Sequence, residues 1–221
     1  MVWSVVVAGG SGRRFGQLKQ YARLGDRPVV AWAVQACRHC SGGVVLVAPS
    51  ADDGGDAEGH GADAVVTGGP TRADSVRRGL SVVPADADVI VVHDAARPLA
   101  TPALFDAVIR AVTEGGADGA VPGLTPSDTI KVVDDGQYVI STPDRRTLVA
   151  VQTPQAFRAD VLRRAHEHAA PGATDDAMLV EALGATVRVV PGEPGNLKIT
   201  TPADLKAAEQ LAEQLIAGEQ D

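Results

Sequence analysis

Four glycines and three cations share one short stretch near the start of the chain: Ala8-Gly9-Gly10-Ser11-Gly12-Arg13-Arg14-Phe15-Gly16-Gln17-Leu18-Lys19-Gln20. Glycine lets the backbone approach a ligand closely, and free N–H groups in such a loop can ring a phosphate. Arg13, Arg14 and Lys19 add the charge a triphosphate requires. Without a ligand the same residues read as a tight turn with solvated cations. The stretch is not a Walker loop, because no Gly-Lys-Ser/Thr follows the glycines. Gly10-x-Gly12 begins a dinucleotide fingerprint. However, Phe15 stands where its third glycine belongs, and the second strand does not end in an acid for a ribose, so a dehydrogenase fits poorly.

Two further clusters follow apolar runs. In Gly68-Gly69-Pro70-Thr71-Arg72-Ala73-Asp74-Ser75-Val76 the backbone and Ser75 suit a base edge, or Thr71 simply caps a helix. In His93-Asp94-Ala95-Ala96-Arg97-Pro98 an acid sits directly after a buried strand, a costly place unless it is used. Asp94 suits a metal or a substrate hydroxyl there, or pairs with Arg97 to brace the turn. Smaller pieces are Ser127-Asp128-Thr129, Asp144-Arg145, Thr153-Pro154-Gln155, Thr174-Asp175-Asp176-Ala177 and Asn196-Leu197-Lys198-Ile199-Thr200. Thr174 reads as a helix N-cap, with acids in the first turn.

The elements that must position these groups alternate in type. Apolar runs predict strands at 2–7, 44–47, 64–67, 89–92, 119–121, 149–152 and 187–190, with a very short one at 197–199. Helical spacing predicts helices at 28–36, 71–82, 102–112, 159–168, 176–183 and 201–216. Such alternation implies an α/β fold, a doubly wound and mostly parallel Rossmann-like sheet with helices on both faces. In that architecture ligands sit beyond the carboxyl ends of the strands, which is where the polar clusters fall. Residues 129–142 break the pattern. They alternate apolar and polar around Asp134-Asp135-Gly136, the signature of a hairpin turned by Asp-Gly, and form an arm outside the main sheet. The acidic, glycine-rich 52–63 stretch reads as a surface loop.

The bulk composition narrows the class. A length of 221 residues suits one domain, and a 3% aromatic content leaves Val, Ala, Leu and Ile to build the core. A net charge of -8 argues against a nucleic-acid partner, while a few placed cations still suit small anions. No apolar run is long enough for a membrane helix, and the N-terminus lacks a signal-peptide pattern, so neither a membrane nor secretion is expected. The two cysteines, Cys37 and Cys40, follow a helical pattern and so lie at the end that does not stabilise a thiolate. With no second pair to complete a zinc site, they read as incidental thiols of a cytoplasmic protein.

Taken in order and spacing, the segments AGGSGRRFGQLKQ, GGPTRADSV, HDAARP, SDTIK, DR, TPQ, TDDA and NLKIT resemble the 2-C-methyl-D-erythritol 4-phosphate cytidylyltransferase family over nearly the whole chain. The resemblance implies transfer of CMP from CTP to that sugar-alcohol phosphate, with pyrophosphate as the leaving group. It implies that Arg14 and Lys19 stabilise the reacting α-phosphate and that Arg145 and Lys198 orient the attacking phosphate. By the same resemblance Ala8, Gly9, Gly10, Gly12, Gly69 and Ser75 hold the nucleotide, and Asp94, Arg97, Thr129 and Thr174 contact the acceptor. Mg2+ would be held mainly by the CTP phosphates, with no metal ligand expected from the protein. The chain would form one domain, 1–221, whose β-arm at about 129–146 carries Arg145 into a neighbouring subunit of a homodimer with shared active sites.

The sequence departs from the family pattern at Leu18, where proline usually precedes the lysine, and at Asp176, where a glutamate is usual. Leu18 frees a backbone angle that proline would fix. A close alternative is ribitol 5-phosphate cytidylyltransferase, which shares the CTP motifs. A sugar-nucleotide pyrophosphorylase and a non-enzymatic nucleotide-binding regulator fit less well: the former lacks the HDAARP pattern, and the latter would need neither Arg145 nor Lys198. The length is expected to leave no room for a fused cyclase of the same pathway.

Overall fold

The computed structural model describes residues 1–9, 18–49, 59–167 and 172–218. Gly10, Gly12 and Arg14 lie outside the described residues, as does most of the acidic 52–63 loop.

The central sheet follows from valine-rich runs buried on both faces. β1 (Val2–Val7), β4 (Gly43–Ala48) and β6 (Val89–Asp94) form its middle, and β4 and β6 are buried at every position. Alternation along each strand divides the core in two. Val6, Val44, Leu46, Val89 and Val91 face α1 (Val29–Arg38) and α3 (Pro102–Thr113). Val5, Val45, Val47, Ile90 and Val92 face α2 (Arg72–Leu80), α4 (Ala159–Glu167) and α5 (Asp176–Ala182). The closing helix α6 (Pro202–Gly218) packs on Leu24, Val29, Leu99 and Ile199 in a third, smaller cluster.

Strand order is β10-β7-β11-β6-β1-β4-β5, with β12 (Val187–Pro191) on the outer side of β7. β5 (Ala64–Thr67), β4, β1 and β6 run parallel. β7 (Gly119–Leu124) and β12 are parallel to each other. Two strands run the opposite way. β10 (Ala150–Val151) pairs antiparallel with β7, and β11 (Gln155–Arg158) is antiparallel to both β6 and β7. Apolar run length had not predicted β11: only Ala156 and Phe157 are apolar, and a proline precedes them. β11 nonetheless sits in mid-sheet, with Phe157 wholly buried.

Two expectations need correction, and one small element is new. Residues 197–199 form no strand; the Ile199 N–H donates to the Ala96 carbonyl (2.8 Å) without a strand ladder. The α5 N-cap is Asp175, whose carboxylate accepts the Met178 N–H at 3.0 Å, and Thr174 is exposed beside it. The small β2 (Arg23–Leu24)–β3 (Arg27–Pro28) hairpin went unpredicted because two-residue strands leave no periodicity to read. Cys37 and Cys40 do sit at the end of α1 and in the turn after it; burial raises both thiol pKa values, that of Cys40 to about 12.

The arm leaves the sheet after β7 and returns at β10. Its hairpin pairs β8 (Val132–Val133) with β9 (Val139–Ser141). The turn closes through the Gln137 N–H to the Asp134 carbonyl, and the left-handed residue is Gln137 (φ 65°) rather than the adjacent Gly136. A turn followed by a left-handed residue is a common hairpin closure, and here it places the demanding angle one residue later than the Asp-Gly pair suggested.

Candidate active site

The chain order β1, β4, β5 builds outward on one side of β1, and the next strand, β6, is laid on the other side. The carboxyl ends of β1 and β6 thus flank a topological switch point, where α/β sheets open a crevice. A cleft of about 330 Å³ lies there. Its floor is Val7, Ala8 and Gly9 from β1 and Asp94, Ala95 and Ala96 from β6, whose ends are in register at Val7 and Asp94.

One wall is the turn into α2. Thr71 caps the helix by accepting the Asp74 N–H at 3.0 Å. The Ser75 hydroxyl accepts the Gly69 N–H at 3.0 Å and donates to the Thr71 carbonyl at 2.9 Å, so it braces the turn as well as facing the cleft. A Cβ on Gly69 would fall 2.4 Å from the Asp74 Cβ, so only glycine fits there. Another wall is the short 3-10 turn Lys19–Tyr21, of which Lys19 and Gln20 line the cleft. Gln20 is buried and donates to the Ala8 carbonyl at 2.8 Å, tying this turn to the end of β1. Lys19 Nζ donates to the Ile199 carbonyl at 2.8 Å, and the adjacent Lys198 Nζ reaches Asp94 Oδ2 at 2.6 Å.

The Lys198 segment is clamped from behind. Gln152 donates to the Glu193 carbonyl and accepts the Glu193 N–H, while the buried Asn196 donates to the Thr153 carbonyl at 2.9 Å. Arg97 Nη1 donates to the Asn196 carbonyl at 2.7 Å. The bracing pair envisaged between Asp94 and Arg97 does not form. The Arg97 N–H closes a turn on the Asp94 carbonyl, and its side chain serves the 196 loop. Asp94 instead pairs with Lys198 and with Arg72, at 3.4 Å.

Charge in the cleft is arranged, not diffuse. Burial would raise the Asp94 pKa, but Arg72 and Lys198 outweigh it and hold this carboxylate well below its usual range. Arg72 also binds the fully buried Asp176 at 2.7 Å, and Asp176 accepts from His166 Nε2 at 2.9 Å. Burial opposes the charge on Arg72, yet Asp176 and Asp94 together raise its pKa further. His93, next to Asp94, is wholly buried, and that burial lowers its pKa to about 4. Its Nε2 lies 3.0 Å from the Arg97 carbonyl, which can only accept. Nε2 is therefore assigned the proton, and Nδ1 accepts from Thr153, whose oxygen takes the Asp94 N–H.

Ala8, Gly9, Lys19, Gly69, Ser75, Asp94 and Lys198 thus line one cleft. Arg97 stands behind it. Thr129, Arg145 and Thr174 are exposed and are not among its lining residues; Arg145 donates to the Ser127 carbonyl at 2.6 Å on the arm. Sequence reasoning missed Arg72, Gln20, the His166–Asp176 pair and the Gln152–Asn196 clamp. Arg72 lay inside a quoted motif, and its place one turn before Ser75 was the available signal.

Comparison with known proteins identifies the family. The profile of the 2-C-methyl-D-erythritol 4-phosphate cytidylyltransferase (IspD) family matches residues 2–214. The chain is 45% identical to a bifunctional enzyme IspD/IspF of Anaeromyxobacter dehalogenans, covering 98% of this chain but only 58% of that relative's length. It is 43% identical to a 2-C-methyl-D-erythritol 4-phosphate cytidylyltransferase of Rubrobacter xylanophilus, covering 94% of this chain and 93% of that one. The crystal structure of the Thermus thermophilus enzyme of the same name superposes with a TM-score of 0.80 at 33% identity, over 95% of this chain and 98% of that one. A cleft at the switch point, a matching profile along nearly the whole chain and a shared fold lead to one assignment: the chain belongs to the 2-C-methyl-D-erythritol 4-phosphate cytidylyltransferase family.

Proposed function

We propose that this chain transfers CMP from CTP to 2-C-methyl-D-erythritol 4-phosphate, releasing pyrophosphate and giving 4-diphosphocytidyl-2-C-methyl-D-erythritol. The observation that carries the reading is the convergence of the Ala8–Gly9 floor, the Gly69–Ser75 wall, Lys19, Lys198 and Asp94 on one cleft. A phosphate oxygen of the acceptor attacks the α-phosphorus, a new P–O–P bond forms, and the bond to the bridging oxygen breaks with its electron pair on pyrophosphate. A phosphate monoester is mostly a dianion above about pH 6, so the nucleophile needs no base. A neutral, fully tied His93 is consistent with that. Catalysis then rests on positioning and charge.

In this reading Lys19 and Arg14 stabilise the α-phosphate, and Gly10 and Gly12 join Ala8, Gly9, Gly69 and Ser75 in binding the nucleotide. Lys198 takes the acceptor phosphate, and Asp94 takes its hydroxyls, with Thr174 and Arg97 shaping that end. Among the described residues no three potential metal ligands cluster, and the cleft carboxylate Asp94 already bonds two cations. That donor set fits Mg2+ held mainly by CTP phosphates, where it would neutralise triphosphate charge.

The whole chain serves as one nucleotidyltransferase domain, and the arm at about 129–146 makes a homodimer. Arg145 and Thr129 then complete the neighbouring subunit's site. Exposed Tyr138, Val139 and Ile140 on the arm support this reading. A buried Cys37 and a half-buried Cys40 that are not joined fit a reducing, cytoplasmic setting, and no helix among the described residues is long and apolar enough to cross a membrane.

The test is pyrophosphate release from CTP and Mg2+ with competing acceptors. Release with methylerythritol phosphate, and little with ribitol 5-phosphate, is expected. A preference for ribitol 5-phosphate would overturn the acceptor assignment while leaving the CTP half intact.

A further inference from the structure

Five charged or ionisable groups from five parts of the chain form a line that runs from the core to the cleft. His166 of α4 meets Asp176 Oδ1 of α5, and Asp176 Oδ2 meets Arg72 Nη1 of α2. Arg72 Nε and Nη2 meet Asp94 Oδ1 of β6, each at 3.4 Å, and Asp94 Oδ2 meets Lys198 Nζ. The two Asp94 oxygens are therefore shared out: one to an arginine fixed from below, the other to a lysine. The buried end is His166–Asp176 and the most exposed end is Lys198, with Asp94 (12% exposed) more enclosed than Arg72. Arg72 is 26% exposed, and Lys198 is 43% exposed on a flexible stem.

From the split of Asp94 between these two cations we infer that Arg72 is a positioning residue for the acceptor: it holds Asp94 in place and ionised when Lys198 transfers to the acceptor phosphate. The inference rests on the reaction proposed above, in which Lys198 must bind that phosphate. When Lys198 turns to the phosphate its 2.6 Å bond to Asp94 loosens, because the charge of one ammonium is then divided between two anions. A carboxylate this buried that lost its nearest counter-ion would take a proton or turn toward water. Either change spoils it as a hydroxyl acceptor. Arg72 prevents both, because its fork reaches Asp94 while Asp176 pins the opposite side.

Among the described residues no other neighbour is placed to substitute. The His93 ring is committed to Thr153 and the Arg97 carbonyl, Arg97 to the Asn196 carbonyl, and Lys19 Nζ reaches the Ile199 carbonyl across the cleft. Once Lys198 has moved, Oδ2 is open to the acceptor hydroxyl while Oδ1 stays on the guanidinium.

The experiment compares the full-length native chain with Arg72→Lys, Arg72→Met and the double variant Arg72→Met/Asp176→Asn. Steady-state constants for both substrates are measured from about pH 8 to about pH 5. The double variant removes the buried carboxylate that Arg72→Met alone would strand, and so separates folding from function. Arg72→Met and the double variant are expected to raise the acceptor KM at least about tenfold, with the KM for CTP changed less than about twofold. The ratio of variant to native acceptor KM should grow as pH falls, because Asp94 without Arg72 protonates more easily; taking the ratio cancels the titration of the acceptor phosphate itself. Arg72→Lys should recover part of the loss. Folded variants that raise both KM values alike, or whose acceptor KM ratio is flat across pH, would overturn the inference. A native chain that binds CTP but does not turn over methylerythritol phosphate would overturn the functional reading beneath it, a distinguishable result.

Discussion

The cleft and the arm are built on opposite terms. Around the cleft, Gln20, Asn196 and Asp176 are buried polar groups bonded to backbone or to charge, and Lys19, Lys198 and Arg72 each have a bonded partner. On the arm, Tyr138 is 76% and Ile140 64% exposed, and the two strands pair with each other alone. A lone two-stranded hairpin is marginal in water. The cleft thus carries its own order within one chain, whereas the arm presents apolar surface that a second body would cover. Function that depends on the first should fail by loss of a particular charge, and function that depends on the second by loss of association.

The sharpest test of the cleft is Lys19→Ala. Turnover should fall by about two orders of magnitude or more while CTP still binds, as removal of one preorganised charge donor does elsewhere; calorimetric titration with CTP beside a pyrophosphate assay separates the two. Next comes acid stability. His93 is held neutral, with a pKa of about 4 against an ordinary 6.5, because burial disfavours its charged form. Its contribution is complete above about pH 6.5 and is lost progressively as pH falls to about 4, a loss of about 3 kcal/mol. Urea melts across this range should show the slope, and His93→Gln should flatten it; an equal slope in the variant would shift the cause to other groups.

For the arm, Ile140→Asp should break the proposed dimer in sedimentation while changing the stability of the single chain by no more than about 0.5 kcal/mol. Unchanged sedimentation would move the interface elsewhere. Mixing Arg145→Ala with Lys19→Ala subunits should restore part of the activity, since one site of each mixed pair would be whole. The smallest effect is expected at the hairpin turn. Gln137→Gly relieves a left-handed angle and should stabilise the chain by up to about 1 kcal/mol, read as a small rise in Tm.

These contrasts also explain what could be read in advance. The sheet was legible because Val5 and Val6, Val45 and Leu46, and Ile90 and Val91 lie in short continuous apolar runs, as strands buried on both faces require. The Gly68–Gly69 turn and the place of Lys198 were legible because a motif is local. β11 was not, since four residues with a polar first member carry no period. Arg72 was not, because an arginine in a helix's first turn looks solvated until Asp176, 104 positions away, is folded against it. Arg97 misled by proximity: three residues from Asp94, it seemed a natural partner, yet the turn between them points it at Asn196.

The way the arm is attached has a consequence of its own. It departs after Leu124 and returns at Ala150, and these two residues are paired directly across β7 and β10. An excursion whose ends are neighbours in space can be lengthened, shortened or exchanged while the sheet keeps its register, because the strand pairs on either side close the gap in its absence. The arm is thus modular in inheritance: residues 125–149 can change partner or geometry by substitution and insertion, while the sheet beneath them remains fixed.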